Sequence, residues 1–355
     1  MTIERDIVKK KWIKRSRVEL SAALKIVFGM GELMKAIVYT KYGSPDVLQL
    51  AEVEKPVPKD DEVLVKVRAA SINAADLDLL RGTPFLIRFS GPLKPRYKIL
   101  GSDIAGRVEA AGRNAKQFRP GDEVFADLSA CGFGAFAEYV SVPENALAEK
   151  PAGMTFEEAA AVPTAAVIAL QGLRDRRKIK PGQKILINGA GGGVGTFAVQ
   201  IAKSFGAEVT GVDSAEKLAM LRSIGADKVI DYRQEDFTLS GRLFDLILDV
   251  AAYRSVFDVR RALSSRGDYV LIGGSVGAAF QTIFLGPWIS MIWHAKVGIL
   301  KWKPNRDEDL DFVKMLLADG KVVPVIDRRY RLTEVAAALR YLEQGHVQGK
   351  VVLTV

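Results

Sequence analysis

One stretch limits what this chain can fold into. Lys184-Ile185-Leu186-Ile187-Asn188 is a short apolar strand that runs straight into Gly189-Ala190-Gly191-Gly192-Gly193-Val194-Gly195. The apolar spacing at Phe197, Ala198, Ile201 and Ala202 predicts a helix over Thr196 to Phe205. Strand, glycine turn and helix in that order make the phosphate-binding corner of a dinucleotide fold. The glycines permit a tight turn, a close approach of backbone to a pyrophosphate, and close packing of helix on strand. Free N–H groups at the helix start, with the helix dipole behind them, favour a phosphate. The candidate cofactor-binding residues here are Gly189, Gly192, Gly193, Val194 and Gly195.

The spacing is G-x-x-G-x-x-G, with Ala190 where G-x-G-x-x-G would begin. A glycine run alone is weak evidence, and its surroundings strengthen it. A second apolar strand, Glu208 to Val212, ends in Asp213, about 20 residues beyond Gly192, where an acid meets a ribose hydroxyl. The rhythm continues with a helix from Ala215 to Ile224, strands Lys228 to Ile230 and Phe244 to Val250, a helix near Ser255 to Ser264, and a strand Asp268 to Ile272. Strands alternating with helices predict an α/β domain with a doubly wound parallel sheet. Its ligand belongs at the carboxyl ends of the strands.

The 355 residues, 48% hydrophobic and 26% charged, suffice for two domains. A single cysteine, Cys131, excludes an intrachain disulfide and fits a reducing, cytoplasmic setting. The net charge of +9 reads as attraction for an anionic cofactor. No basic stripe interleaved with aromatics points to nucleic acid. Residues 1–33 stand apart, with eight Lys or Arg against four acids. This basic extension is a disordered or mis-assigned start with translation beginning at Met34, a basic segment lying on a membrane, or a poor signal peptide. Phe280 to Leu300 is apolar but interrupted by His294 and Lys296, too broken for a membrane span of about 20 apolar residues. It reads as a helix at a domain or subunit interface, or a pocket wall.

Upstream of the glycine turn the period changes. Glu62 to Ala69 alternates with period two, as does much of Ser102 to Ala111, and Phe136 to Val140 and Asn145 to Ala148 are shorter strand candidates. Turn signals at Lys55-Pro56-Val57-Pro58, Arg119-Pro120-Gly121-Asp122 and Pro143-Glu144-Asn145 separate them. Short strands with regular turns predict an antiparallel barrel. The tail returns to strand at Lys350-Val351-Val352-Leu353. The expected organisation is a discontinuous barrel domain, 34–160 and 304–355, around a nucleotide domain, 161–303. The cleft between them is the expected active site.

Several separated motifs resemble the medium-chain dehydrogenase/reductase superfamily over Met34 to Val355. They are Tyr42-Gly43-Ser44-Pro45-Asp46-Val47-Leu48, Ala70-Ser71-Ile72-Asn73-Ala74-Ala75-Asp76, Leu100-Gly101-Ser102-Asp103-Ile104-Ala105-Gly106, Arg119 to Phe125, Gly134 to Val140, Ala161-Val162-Pro163-Thr164 and Gly349-Lys350-Val351-Val352. The nearest branch resembles the zinc-independent quinone oxidoreductases, including bacterial proteins called NAD(P)-dependent alcohol dehydrogenases. The resemblance implies a GroES-like β-barrel domain, a Rossmann domain, and a homodimer through the nucleotide domain. Zinc-dependent members carry Gly-His-Glu where this chain has Gly101-Ser102-Asp103. One cysteine and two histidines in no ligand spacing cannot build the zinc sites. That disfavours simple alcohol oxidation and favours hydride transfer from NAD(P)H to a small, apolar, electron-poor acceptor, a quinone or an enone. An enoyl or alkenal reductase, and a dinucleotide-binding protein without turnover, remain as alternatives.

Two signals on the cofactor conflict. Asp213 favours NADH, because a carboxylate holds ribose hydroxyls and repels a 2′-phosphate. Ser214, Lys217 and Tyr232 match positions that surround that phosphate in NADPH-using relatives. The balance tips to NADH. The resemblance also places Asn73 and Thr164 near the nicotinamide, with Val250 and Gly273-Gly274 at strand ends beside it. Asn73 is a candidate donor to the substrate oxygen or a turn cap. Asp76 is a candidate proton relay or a helix cap. The tyrosine that some quinone reductases carry two residues further on is replaced by Asp78.

Overall fold

The computed structural model describes residues 31–355, apart from 176, 177 and 294 and the side chains of Leu86, Ser90 and Trp293. The expectations for residues 1–30 and for His294 lie outside the described residues.

The first half is built from short strands. β1 (Leu33–Val38) pairs antiparallel with β2 (Gln49–Glu54). β3 (Glu62–Ile72) is the spine of a seven-stranded sheet that also holds β4 (Asp103–Ala111), β5 (Glu123–Asp127), β6 (Tyr139–Pro143) and β7 (Leu147–Glu149). The period-two reading explains β3. Val63, Val65 and Val67 point into the core, while Lys66 lies over the ring of Tyr139. Register shifts between Leu64 and Val65 and between Val67 and Ala69 bend the β3–β4 ladder, as a closing sheet requires. The predicted strand Phe136–Val140 is displaced: β6 starts at Tyr139. Phe136 and Ala137 instead bond to β1, where the Ile37 N–H donates to the Phe136 carbonyl.

The second half is a six-stranded, all-parallel sheet of β8 (Lys184–Asn188), β9 (Glu208–Asp213), β10 (Lys228–Asp231), β11 (Phe244–Asp249), β12 (Leu263–Leu271) and β13 (Lys296–Ile299). Their order is β10-β9-β8-β11-β12-β13, the doubly wound order with its switch point beside β8. Both faces are covered. Ile185 and Ile187 face a core shared with helices Pro163–Arg174 and Gly193–Ser204, while Leu186 and Ile247 face the opposite core. Two stretches differ from expectation. Residues 215–224 form a 3-10 turn, Ala215–Lys217, and a shorter helix, Leu218–Ser223. Residues 280–300 divide into the end of a helix, Val276–Trp293, and the sixth strand, β13. The polar interruption at His294 and Lys296 in the sequence falls at that boundary, but the hydrophobic residues on either side do not tell helix from strand.

The chain then returns to the first sheet through β14 (Ile326–Arg331) and β15 (Lys350–Thr354), and β15 pairs antiparallel with β3. The helix Asp307–Ala318 lies between. It packs on Pro163–Arg174, where Gln171 Nε2 and Arg174 both bind Asp309. Ala69, Ala105, Phe125 and Val352 of the barrel lie in the same core as that face of the nucleotide sheet. The halves therefore share buried apolar surface, which fixes one against the other.

Candidate active site

The glycine turn leaves the carboxyl end of β8 and enters the helix Gly193–Ser204. Gly189 has φ +76°, the left-handed region that side chains avoid. A Cβ on Gly195 would lie 2.3 Å from the Gly189 carbonyl oxygen, so only glycine lets the helix pack this close. Gly192 is the N-cap and offers no side-chain acceptor to the helix. The first-turn N–H groups of Val194 and Gly195 have no partner within the helix, whereas that of Gly193 faces the Gly349 carbonyl across the Gly192–Gly349 bridge. Helix start, open turn and dipole together fit a dinucleotide pyrophosphate.

The predicted ribose-side residues converge on this turn. Asp213, at the end of β9, accepts from the Gly191 N–H at 2.8 Å and the Ser214 N–H at 2.9 Å. Lys217 Nζ lies 3.3 Å from the same carboxylate, and both side chains are buried. The Tyr232 N–H donates to the Asp213 carbonyl, while its ring is exposed beneath the Arg233 guanidinium. At the next strand ends, the Val250 N–H bonds to the Asn188 carbonyl, and Gly273 and Gly274 bond across to Ala252. Asp249 sits beneath them, bonded to Asn188 Nδ2 and the Tyr269 hydroxyl. Burial pushes its carboxyl up to about 6.

The barrel side contributes a buried polar cluster. Asn73 ends β3 and starts the helix Ala74–Arg81. Asp76 accepts from the Asn73 N–H at 2.8 Å and the Gly101 N–H at 3.2 Å. Both of its oxygens are thus tied to backbone, and burial raises its carboxyl to about 7. The hub is Asp103. Its Oδ1 accepts from the Thr164 N–H (2.9 Å) and hydroxyl (2.6 Å). Its Oδ2 accepts from Ser71 Oγ (2.8 Å), Asn73 Nδ2 (2.9 Å) and Lys350 Nζ (3.2 Å). Asp127 lies nearby, its carboxyl raised to about 6 by burial and then by the charge of Asp103.

Asn73, Asp76 and Thr164 are therefore brought together, by two residues given no site role from sequence. Lys350 is 2% exposed on a strand that is otherwise apolar, and Asp103 is fully buried at the start of β4. A charged residue inside a buried strand pattern is the signal that marks them, because such residues are buried only when paired. The same segment joins the two halves. The Gly349 N–H donates to the Gly191 carbonyl at 2.8 Å, and the Lys350 stem lies 2.9 Å from where a Cβ on Gly193 would stand. A zinc ion does not fit this donor set: the Asp103 carboxylate already holds an ammonium, and its neighbours are hydroxyls and an amide.

Known proteins resemble this chain in sequence and in fold. Residues 59–152 match the alcohol dehydrogenase GroES-like domain family, and residues 224–353 match the zinc-binding dehydrogenase family. The chain is 34% identical over 331 residues to a 2-methylene-furan-3-one reductase of Solanum lycopersicum, covering 90% of this chain and 79% of that protein. It is 34% identical over 361 residues to a chloroplastic NADPH-dependent alkenal/one oxidoreductase of Arabidopsis thaliana, covering 98% and 87%. The solved quinone oxidoreductase of Coxiella burnetii superposes with a TM-score of 0.83 at 30% identity, covering 91% of this chain and all of that one. With barrel and doubly wound sheet both matched along the chain, it belongs to the medium-chain dehydrogenase/reductase superfamily, as an NAD(P)H-dependent oxidoreductase of the quinone oxidoreductase-like branch.

Proposed function

We propose that this enzyme passes a hydride from NADH to an apolar, electron-poor quinone or other activated carbonyl acceptor without a metal. One observation carries the reading. The uncapped glycine turn and the Asn73–Asp103–Thr164–Lys350 cluster are joined directly through Gly349, so a dinucleotide end and a polar substrate end share one cleft. A nicotinamide bound there supplies the hydride. The first-turn N–H groups of Val194 and Gly195, beside Gly189, Gly192 and Gly193, hold phosphate, and Asp213 accepts from ribose hydroxyls. Thr164 and Asn73, fixed by Asp103, line the nicotinamide end, with Val250, Gly273 and Gly274 opposite. Positioning in a cleft shielded from water then provides most of the rate.

NADH is favoured because Asp213 already neutralises Lys217, leaving no unpaired cation there for a 2′-phosphate. The metal-free part is supported by Lys350 on Asp103. Two relatives are named for enone and alkenal reduction, which keeps carbon–carbon reduction as the second reading. A homodimer through the nucleotide domain is supported by the outer strand β13 and by Phe280, Phe284, Trp288 and Met291, exposed on the helix beside it. A cytoplasmic, reducing setting is supported by the lone thiol of Cys131. Among the described residues no helix is long and apolar enough to cross a membrane.

The test is NADH oxidation by the full chain with a naphthoquinone and with a 2-alkenal, before and after treatment with a chelator. Turnover of either acceptor that survives the chelator is expected, and the faster acceptor separates the two readings. Loss of turnover on chelation would overturn the metal-free assignment. NADH binding without turnover on either acceptor would mean a binding protein instead.

A further inference from the structure

We infer that the Ser102 hydroxyl is the hydrogen-bond donor to the acceptor oxygen, and that Lys350, acting through Asn73, is the positioning residue that leaves its proton free for that bond. This rests on the hydride-transfer reading of the cleft.

Lys350 Nζ has three protons and three acceptors: the Ile72 carbonyl at 3.3 Å, Asn73 Oδ1 at 2.6 Å and Asp103 Oδ2 at 3.2 Å. An ammonium donates only, so the group facing it on Asn73 must be the amide oxygen. That fixes the amide. Its nitrogen turns the other way and donates to Asp103 Oδ2 at 2.9 Å and to Ser102 Oγ at 3.1 Å. Both Asn73 protons are therefore taken, and none is left for a substrate.

The next hydroxyl inherits the role. Ser102 Oγ accepts from Asn73, and no hydrogen bond from its own proton to another described residue is seen. Asp103, its neighbour, is fully buried, whereas Ser102 keeps 5% of its surface. A buried hydroxyl proton without an acceptor is costly unless a ligand meets it. The backbone holds it there: Gly101 has φ +90°, and a Cβ on it would strike the Phe136 ring. Lys350 links the two ends of the site, its stem against Gly193 at the helix start and its head on Asn73.

The chemistry balances simply. Hydride arrives at carbon, the carbonyl or conjugated electron pair moves onto oxygen, and the Ser102 O–H bond steadies the negative charge as it develops. Ser102 keeps its proton. Water supplies the proton that completes the product.

The test uses the full chain with NADH and a naphthoquinone, and the variants Ser102→Ala, Ser102→Thr, Lys350→Met and Lys350→Met with Ser102→Ala. NADH affinity by fluorescence and Tm are measured beside kcat. Ser102→Ala should lower kcat about a hundredfold, with NADH affinity unchanged and only a small loss of Tm from the Asn73 amide proton it leaves unpaired, and Ser102→Thr should retain most of the rate. Lys350→Met should lower kcat comparably, and the double variant should fall no further than Ser102→Ala alone, as members of one unit do. A Ser102→Ala enzyme at the wild-type rate, or losses that multiply in the double variant, would overturn the inference. Where Lys350→Met loses its fold, the two Ser102 variants decide. A wild-type chain that turns over no acceptor instead removes the hydride-transfer reading itself.

Discussion

In the proposed reading, the preference for NADH rests on one carboxylate, that of Asp213. It is held by the Gly191 and Ser214 N–H groups and paired to Lys217. Asp213→Ser removes the repulsion and frees the Lys217 ammonium for a 2′-phosphate. The ratio of NADPH to NADH affinity should rise about tenfold or more, in line with one close charge pair. Equal ratios in mutant and wild type would show that the carboxylate does not face the ribose. Asp249 makes a different test. Burial raises its carboxyl to about 6, so its folded form favours the proton. A raised folded value means that its stabilisation is complete below the ordinary carboxylate range and fades as pH rises toward about 6. Asp76 and Asp127 act in the same direction, with loss continuing to about pH 7. Asp249→Asn keeps acceptor and donor for Asn188 and Tyr269 without the charge. It should raise Tm at pH 8, by on the order of 2 kcal/mol of stability, and change Tm little at pH 4. A parallel downward shift of the whole Tm–pH profile would contradict this. Sequence pointed to Asp76 and Asn73 but not to Lys350, because its pairing with Asp103 joins residues 247 apart. Ser102 read only as a missing metal ligand. Its role emerges from which way the Asn73 amide is turned, which no spacing encodes.

At the scale of elements, the glycine turn was legible because each step of strand, turn and helix has a local signature. Its glycines are not equivalent, and the structure separates them. A Cβ on Gly195 meets two backbone carbonyls, at 2.3 Å from Gly189 O and 2.5 Å from Ala190 O, neither of which can swing aside. A Cβ on Gly192 meets nothing nearer than 3.6 Å. Gly195→Ala should therefore lower Tm by several degrees and abolish NADH binding. Gly192→Ala should keep its Tm yet weaken NADH at least tenfold, since the space it fills is where phosphate approaches. A Gly192→Ala chain that binds NADH normally would place the phosphates elsewhere. The helix Val276–Trp293 and β13 were less legible. The polar residues His294 and Lys296 fall at their junction in the sequence but read only as an interruption, because the residues on either side are apolar. Where one face of a strand keeps charged, partly exposed residues the period-two pattern survives, as at Glu62, Lys66 and Arg68 in β3. Where both faces are buried the pattern disappears.

For the whole molecule, the exposed apolar side chains on Val276–Trp293 lie beside the outer strand of the nucleotide sheet. A second copy is the expected cover. Phe284→Glu with Trp288→Glu should convert the dimer to monomers in sedimentation experiments, with NADH affinity retained within about threefold because the glycine turn lies across the sheet. A dimer that survives the double charge would assign the interface to another face. The two-domain plan itself was readable because period two gives way to alternating strand and helix at one place in the chain. The interdomain weld at Gly349 and Lys350 was not, since it depends on where the last strand docks. The most direct measurement is a fluorescence titration of the full chain with NADH and NADPH in parallel. One NADH should bind per chain, saturably and more tightly than NADPH. Binding of neither would make the glycine turn purely structural and contradict the hydride-transfer site built upon it.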